Sequence, residues 1–166
     1  MKNIKLSFAL ILFGSLSVTS GIINADSGEF EYSGIAAHNF KSIDFGATTY
    51  TGGHLTGATQ IIKSSGGPFK AGMAGAMECV VFSEKSETET GLVAPCHMKF
   101  TGSDNGLNLL AERNIGTIKS TGSGGQGTQK IFGTGGMKNI KGTCEYTVEF
   151  HALNQVTTLG KCKWGK

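Results

Sequence analysis

Two glycine-rich segments carry the residue types that often bind phosphate groups. Residues 122–127, GSGGQG, match the spacing GxGxxG, and residues 131–146, IFGTGGMKNIKGTCEY, place two lysines among four glycines. A dinucleotide-binding fingerprint needs a strand before the glycines and a helix that begins on them. The residues after position 127 are instead typical of a strand and a further turn. We therefore predict that neither segment binds a nucleotide and that the protein uses no cofactor.

The titratable residues form no recognisable catalytic motif. The chain has four histidines, none of them in an HExxH pattern or a close pair, and it has no GxSxG elbow. A serine–histidine–aspartate triad stays open, because its members can lie far apart in a sequence. Asp104 precedes an Asn-Gly pair and is predicted to be a turn residue, although its carboxylate would also suit calcium. We predict no metal site, and we expect strand or surface positions for His38, His54, His97 and His151.

The first 25 residues have the layout of a secretory signal peptide. Lys2 and Lys5 precede the apolar run FALILF at positions 8–13, and small and polar residues follow it. The apolar run is too short to span a bilayer, which takes about 20 apolar residues. We predict cleavage after Ala25, with sites near residues 20–21 and a retained N-terminal anchor as alternatives. The sequence thus predicts a periplasmic or secreted protein, and no later segment is apolar enough to cross a membrane.

The mature chain, residues 26–166, is predicted to be one domain with little net charge. Removal of residues 1–25 lowers the net charge from +3 to about +1, because Lys2 and Lys5 leave and no acidic residue does. Arg113 is the only arginine, and the lysines form no large cluster of the kind that binds nucleic acid. We therefore predict no nucleic-acid partner, whereas the oligomeric state stays open.

Four cysteines carry the clearest chemical signal: Cys79, Cys96, Cys144 and Cys162. An even number of cysteines in an exported protein favours disulfide bonds. A metal site or a redox pair is the alternative, but the chain has no CxxC and lacks the spacings of a zinc module.

The alternation of apolar and polar residues selects one of the three pairings that four cysteines allow. Pairing Cys144 with Cys162 gathers apolar side chains on one face of a hairpin and polar ones on the other. Pairing Cys79 with Cys96 does the same for a second hairpin, whose turn is the charged stretch EKSETET. Each disulfide should stabilise the fold by about 3 kcal/mol through loop closure. The two registers also predict the cross-strand pairs Glu145–Lys161, Tyr146–Gly160 and Glu78–His97.

The composition of the chain is typical of an all-β protein. Its 26 glycines and two prolines alternate with Phe, Ile, Val, Thr and Tyr, which indicates short strands and tight turns rather than disorder. Only residues 106–114, GLNLLAERN, are also compatible with a helix.

Residues 133–146, GTGGMKNIKGTCEY, resemble a recurring pattern of small exported bacterial proteins, which are similar to the allene oxide cyclase and dirigent β-barrels with their GGTGRF-type turn. The resemblance implies an antiparallel, closed or nearly closed barrel of about eight strands. In this barrel the glycines would form a tight corner, Thr134 would hydrogen-bond the turn and Ile140 would point inward. A lipocalin-like barrel and a β-sandwich are the alternatives. The matching residues are Gly133, Thr134, Gly135, Lys138, Ile140, Gly142 and Tyr146; the departures are Gly136, Met137 and Asn139.

Three functions fit a barrel with apolar, cysteine-bearing faces and no catalytic motif. The first, which we favour, is binding of a small apolar ligand or an envelope protein without catalysis. The second is an isomerase or cyclase of the allene oxide cyclase or dirigent type, which would need Glu, His or Tyr inside the barrel. The third is a structural or adhesive surface protein, which exposed strand edges would support.

Overall fold

The computed structural model describes residues 26–87, 90–113 and 124–166, and the predicted signal peptide, residues 1–25, lies outside them. Each described strand pairs antiparallel with the next, and the last strand returns to the first and closes a barrel. The predicted all-β fold, a closed antiparallel barrel of eight strands, is confirmed. The strands are β1 Ser27–Phe45, β2 Thr48–Ser64, β3 Ala74–Lys85, β4 Thr90–Phe100, β5 Gly106–Arg113, β6 Gly124–Thr134, β7 Lys141–His151 and β8 Gln155–Gly165.

Both cysteine hairpins have the predicted registers. Cys79 stands opposite Cys96 across β3 and β4, Cys144 stands opposite Cys162 across β7 and β8, and each pair forms a disulfide. Alternation was a reliable guide here because each strand of a closed barrel has one buried and one solvated face. The three predicted cross-strand pairs are also present: Glu145–Lys161, Tyr146–Gly160 and Glu78–His97.

The segment that is compatible with a helix forms strand β5, and residue 114 lies outside the described residues. Leu107 and Leu109 are buried, whereas Asn108 and Glu112 are exposed, so burial follows the two-residue period of a strand. Backbone pairing with β4 on one side and β6 on the other outweighs the local preference for a helix. Across the described residues, no helix is long and apolar enough to span a membrane.

The glycine segment connects β6 to β7. Gly133 and Thr134 end β6, a 3-10 turn follows at Gly135–Met137, and Gly142 lies near the start of β7. Gly135 has a φ of 61°, a conformation that glycine adopts without steric cost. A phosphate-binding loop needs an α-helix that begins at its glycines, whereas here a three-residue 3-10 turn and strand β7 follow.

The hydrogen bonding of this turn differs from the prediction. Thr134 is still in an extended conformation, and its side chain makes no capping hydrogen bond. Instead, the Oδ1 atom of Asn105 accepts a hydrogen bond from the backbone N–H of Gly136 at 2.8 Å. The β4–β5 loop therefore supplies a side-chain hydrogen bond to the turn, in addition to the backbone hydrogen bonds from Gly133 N–H to Ile140 O and from Ile140 N–H to Met137 O. Ile140 is buried, as expected of an inward side chain.

One end of the barrel is closed by a side chain from a loop. This loop end carries the β2–β3 loop, residues 65–73, and the opposite hairpin end carries the turns at residues 46–47 and 152–154. Phe69, in the β2–β3 loop, is fully buried, and its ring centroid lies 4.3 Å from Phe30, 5.6 Å from Trp164 and 6.3 Å from Phe100. The aromatic cluster fills the barrel cross-section at the loop end.

Candidate functional site

The barrel interior contains two apolar clusters. The packed half, at the loop end, includes Phe30, Phe100 and Leu107, and its buried members are only 0–4 % exposed. In the hairpin half, nine of the ten buried members keep 5–9 % exposure, although they lie on inward faces. Nearly all the inward-facing buried residues of the hairpin half are therefore more exposed than those of the packed half. The members of the hairpin half are Ala36, Leu55, Met77, Cys79, Val81, Ala94, Ala111, Tyr146, Val148 and Val156.

Side-chain size explains this difference between the halves. Inward side chains at one level of a small barrel must together fill its cross-section. Three strands carry a large apolar residue in the packed half and an alanine in the hairpin half: β1 has Phe30 and Ala36, β4 has Phe100 and Ala94, and β5 has Leu107 and Ala111. The smaller side chains and the higher exposure make the hairpin half the candidate for an apolar cavity, beside the Cys79–Cys96 disulfide.

A buried polar group lies where the two halves meet. Tyr32 belongs to the packed half and Tyr146 to the hairpin half. The Nε2 atom of the buried Gln129 donates a hydrogen bond to the hydroxyl oxygen of Tyr32. Gly160 stands opposite both tyrosines, and a Cβ atom there would lie 2.8 Å from Cδ1 of Tyr32. The glycine thus gives the Tyr32 ring room to lie against β8.

Burial raises the pKa of Tyr32 above its usual value of 10, and the nearby Tyr146 adds to this increase while the hydrogen bond from Gln129 opposes it. The phenol is therefore protonated at neutral pH. Because Gln129 donates to its oxygen, the hydroxyl proton of Tyr32 is available for a further hydrogen bond. The group can act as a neutral hydrogen-bond donor in an apolar interior.

Replacement of Tyr32 by phenylalanine should lower the free energy of unfolding by about 1–3 kcal/mol at pH 7, because Gln129 loses its buried partner. This cost should shrink above about pH 10. There the unfolded wild-type chain releases a tyrosine proton that the folded chain retains, so wild-type stability falls by about 1.4 kcal/mol per pH unit. Urea unfolding of both proteins between pH 7 and 11 would measure the gap between their free energies of unfolding. A gap that stays constant above pH 10 would contradict the raised pKa.

A histidine and two phenylalanines lie together at the hairpin end of the cavity. The ring of His38 stacks on Phe40 at 4.5 Å and meets the edge of Phe150 at 5.5 Å. The backbone N–H of His38 donates to the carbonyl of Asn154 at 2.8 Å, which fixes the β7–β8 turn against β1. Phe40 and Phe150 are partly buried against the hairpin-half cluster. These three rings form the boundary of the cavity at this end.

The other residues singled out in the sequence do not converge on this site. His54 is exposed on β2, His97 bonds Asn108 at 2.8 Å and His151 bonds Thr157 at 2.8 Å, all on exposed faces. Asp104 lies in the β4–β5 loop, as predicted for a turn residue, 3.9 Å from Lys99. Within the described ranges, no three His, Cys, Asp or Glu side chains come together as metal ligands. Of residues 122–127, the first two lie outside the described residues and the rest belong to β6.

A groove of about 880 Å³ also runs along the outer wall from β5 to β2, and its lining includes four lysines and four glutamates. Its charges are largely paired with one another: Lys63–Glu31 at 3.1 Å, Lys130–Glu112 at 3.1 Å and Lys163–Glu29 at 3.8 Å. Exposed ion pairs of this kind compete with any charged ligand and add little binding energy. We therefore take the interior, rather than this groove, as the candidate site.

Sequence reasoning missed Tyr32, Gln129 and His38 as site residues. Gln129 and Tyr32 are 97 positions apart, so no local spacing connects them. One signal was present, because Gln129 occupies an inward position between the exposed Thr128 and Lys130. A polar residue in the buried phase of a strand needs a partner inside the barrel.

Comparisons with known proteins do not identify a function. No family model matches the sequence, and no curated protein matches it. Among solved structures, a pterocarpan synthase dirigent protein is similar over 86% of this chain and 87% of its own chain, with 13% sequence identity and a TM-score of 0.49. A likeness at this level says nothing about a ligand or a reaction. We therefore infer the function from the geometry of the barrel alone.

Proposed function

We propose that this protein binds one small, largely apolar ligand in the hairpin half of the barrel. The observation that carries the proposal is the contrast between the two halves: in the hairpin half alanines replace large side chains, and nearly all the buried residues keep more exposure. An eight-stranded barrel has room for one small ligand of this kind. A mostly apolar wall with a few polar groups, here Tyr32, Tyr146 and His38, is the usual composition of a ligand site.

The site of action in this proposal is outside the cytoplasm. The two disulfides support it, because such bonds persist in oxidising compartments. The basic and apolar N-terminal segment supports it independently. Both a periplasmic and a secreted location, each after signal cleavage behind Ala25, are consistent with this proposal. Mass spectrometry of the exported protein identifies its first residue. A first residue other than Asp26 would show that cleavage occurs at a different site.

Two neighbouring alanines allow a matched test of the ligand site. Ala36 faces the cavity, whereas Ala37 is exposed on the outer face of the same strand. Ala36→Leu should weaken binding of the apolar probe N-phenyl-1-naphthylamine at least tenfold, because the larger side chain fills the space. It should also leave the free energy of unfolding unchanged or raise it by about 1 kcal/mol, since a void is filled. Fluorescence titration and urea unfolding measure the two effects.

Ala37→Leu is the control, and it should bind the probe as the wild type does. No binding of the probe by the wild-type protein would reject the proposed function. An Ala36→Leu protein that binds normally but loses about 1–3 kcal/mol of stability would show that this half is already packed.

A second candidate, an isomerase or cyclase that works in the cavity, is favoured by one observation. Tyr32 is a protonated phenol whose proton is available inside an apolar space, and such a group can polarise a carbonyl or epoxide oxygen. Incubation with apolar carbonyl and epoxide compounds, followed by product analysis, tests this candidate. Turnover that Tyr32→Phe lowers about a hundredfold would support catalysis, whereas unchanged recovery of every compound would support binding alone.

An envelope protein as partner would require the outer wall. Val80, Phe82 and Val93 are exposed beside one another on β3 and β4, and they offer an apolar contact surface. A structural or adhesive role has a narrower basis: the sheet closes into a barrel, and residues 39–45 of β1, which extend past the start of β8, pair with β2.

A further inference from the structure

The Nδ1 atom of His38 is buried and has no hydrogen-bond partner. Buried polar atoms are almost always hydrogen-bonded, and an unpaired one costs about 1–3 kcal/mol. One other buried side-chain atom of the described residues shares this condition, the Nε1 atom of Trp164. Trp164 lies in the packed half, where large side chains leave no room for a ligand. His38 packs against Phe40 and Phe150, which border the hairpin half, so a molecule bound in that half could supply the missing partner.

The protein itself offers no partner to this atom among the described residues. The rings that face His38 are Phe40 and Phe150, and both are hydrocarbons. The carbonyl of Asn154 is engaged by the backbone N–H of His38. A bound molecule can supply the missing hydrogen bond if its polar group reaches the boundary formed by these three rings.

The same surroundings favour an uncharged polar group. A charged group placed between two phenyl rings would lose its hydration, which is unfavourable by several kcal/mol in proteins. An alcohol or a carbonyl needs only one hydrogen bond to offset the loss of water. The apolar wall below His38, with Ala36 and Val156, suits a hydrocarbon body.

We propose that His38 selects the ligand: the barrel takes an uncharged apolar molecule with one hydrogen-bonding group, which binds the Nδ1 atom of His38 at the hairpin end of the cavity. This inference rests on the proposed function and makes it specific. It assigns His38 as a specificity-determining residue, and it names neutral amphiphiles of the alcohol or carbonyl type as the ligand class.

Three compounds with the same chain length test the inference: 1-octanol, 1-chlorooctane and octanoate. Each competes with N-phenyl-1-naphthylamine for the full mature protein, and fluorescence reports its affinity. The wild-type protein should bind octanol about five- to tenfold more tightly than chlorooctane, the gain expected from one hydrogen bond. Octanoate should bind more weakly than octanol because its charge must be buried.

Two variants connect this preference to His38. His38→Phe should bind octanol and chlorooctane equally well, whereas His38→Gln should keep part of the preference because its amide can still hydrogen-bond. If His38→Phe does not fold, the His38→Gln protein still tests the inference, since a preference equal to that of the wild type would contradict it. His38→Phe should otherwise unfold at the same temperature as the wild type or a higher one, because an unpaired polar atom is removed.

The outcomes separate the inference from the proposed function. Wild-type protein that binds the probe and all three compounds without preference would overturn the role of His38 and leave the cavity proposal intact. A preference for octanol that survives in His38→Phe would overturn it as well. Wild-type protein that binds neither the probe nor any octyl compound would overturn the proposed function, and the inference with it.

Discussion

The substitution Gly142→Ala, which adds a single methyl group, should lower the free energy of unfolding by about 3 kcal/mol. A Cβ atom at this position would overlap the backbone carbonyl oxygen of Lys163 and lie 2.9 Å from the Cα atom of Trp164. Overpacking usually costs about 1–3 kcal/mol, and clashes with fixed backbone fall at the upper end of that range.

The neighbouring backbone cannot move aside cheaply. Strand β8 is paired with β7 on one side and with β1 on the other, where Lys163 stands opposite Glu29. A shift of β8 would separate it from its neighbouring strands. The shift would occur only two residues away from the buried Cys144–Cys162 disulfide. The clash therefore has to be absorbed by the hydrogen-bonded ladder itself.

Gly91, near the start of β4 in the same barrel, provides a matched control. A Cβ atom at Gly91, in β4, has no heavy atom within 4 Å. Gly91→Ala should change the free energy of unfolding by no more than about 0.5–1 kcal/mol, and in the stabilising direction, because alanine restricts the unfolded chain. Guanidinium unfolding of both variants, with the disulfides intact, measures the difference. Equal stability of the two variants would show that β8 yields to the added methyl group.

The fold was more predictable than the site because its signals are local. The cysteine registers could be derived from alternation within single hairpins. Glu145 and Lys161, for example, lie on adjacent strands that one turn connects. Closure of the barrel is not local, and it came from the resemblance of residues 133–146 rather than from composition. The phase of β2 shows the limit of alternation: at the register shift beside Tyr32, the consecutive residues Ile62 and Lys63 are both exposed.

The candidate site could not be predicted because it depends on the level of each side chain along the barrel axis. Ala36, Ala94 and Ala111 belong to three different strands, and nothing in their local sequence shows that they belong to one cluster. The strand stagger of a barrel decides which inward residues share a cross-section. The same holds for His38, whose lack of a partner is visible only once Phe40 and Phe150 are placed around it.

Removal of the two disulfides should have unequal effects. Their sequence separations are 18 for Cys144–Cys162 and 17 for Cys79–Cys96, so loop closure contributes about 3 kcal/mol in each case. The packing around them differs, because Cys144 and Cys162 lie in the packed half. Replacement of both by alanine leaves a void there, which should add about 1–2 kcal/mol to the loss. Guanidinium unfolding of the two double-alanine variants compares the losses.

Removal of the Cys79–Cys96 pair should cost less stability than removal of Cys144–Cys162, but it should affect ligand binding more. Cys79 lies in the hairpin half and the partly buried Cys96 packs against both halves, so the loss of the pair should cost mainly the loop-closure contribution of about 3 kcal/mol. The enlarged cavity should change the affinity for N-phenyl-1-naphthylamine, whereas the C144A/C162A protein, measured while folded, should bind the probe as the wild type does. If C144A/C162A alters binding and C79A/C96A does not, the ligand lies at the loop end, and the assignment of the cavity to the hairpin half is wrong.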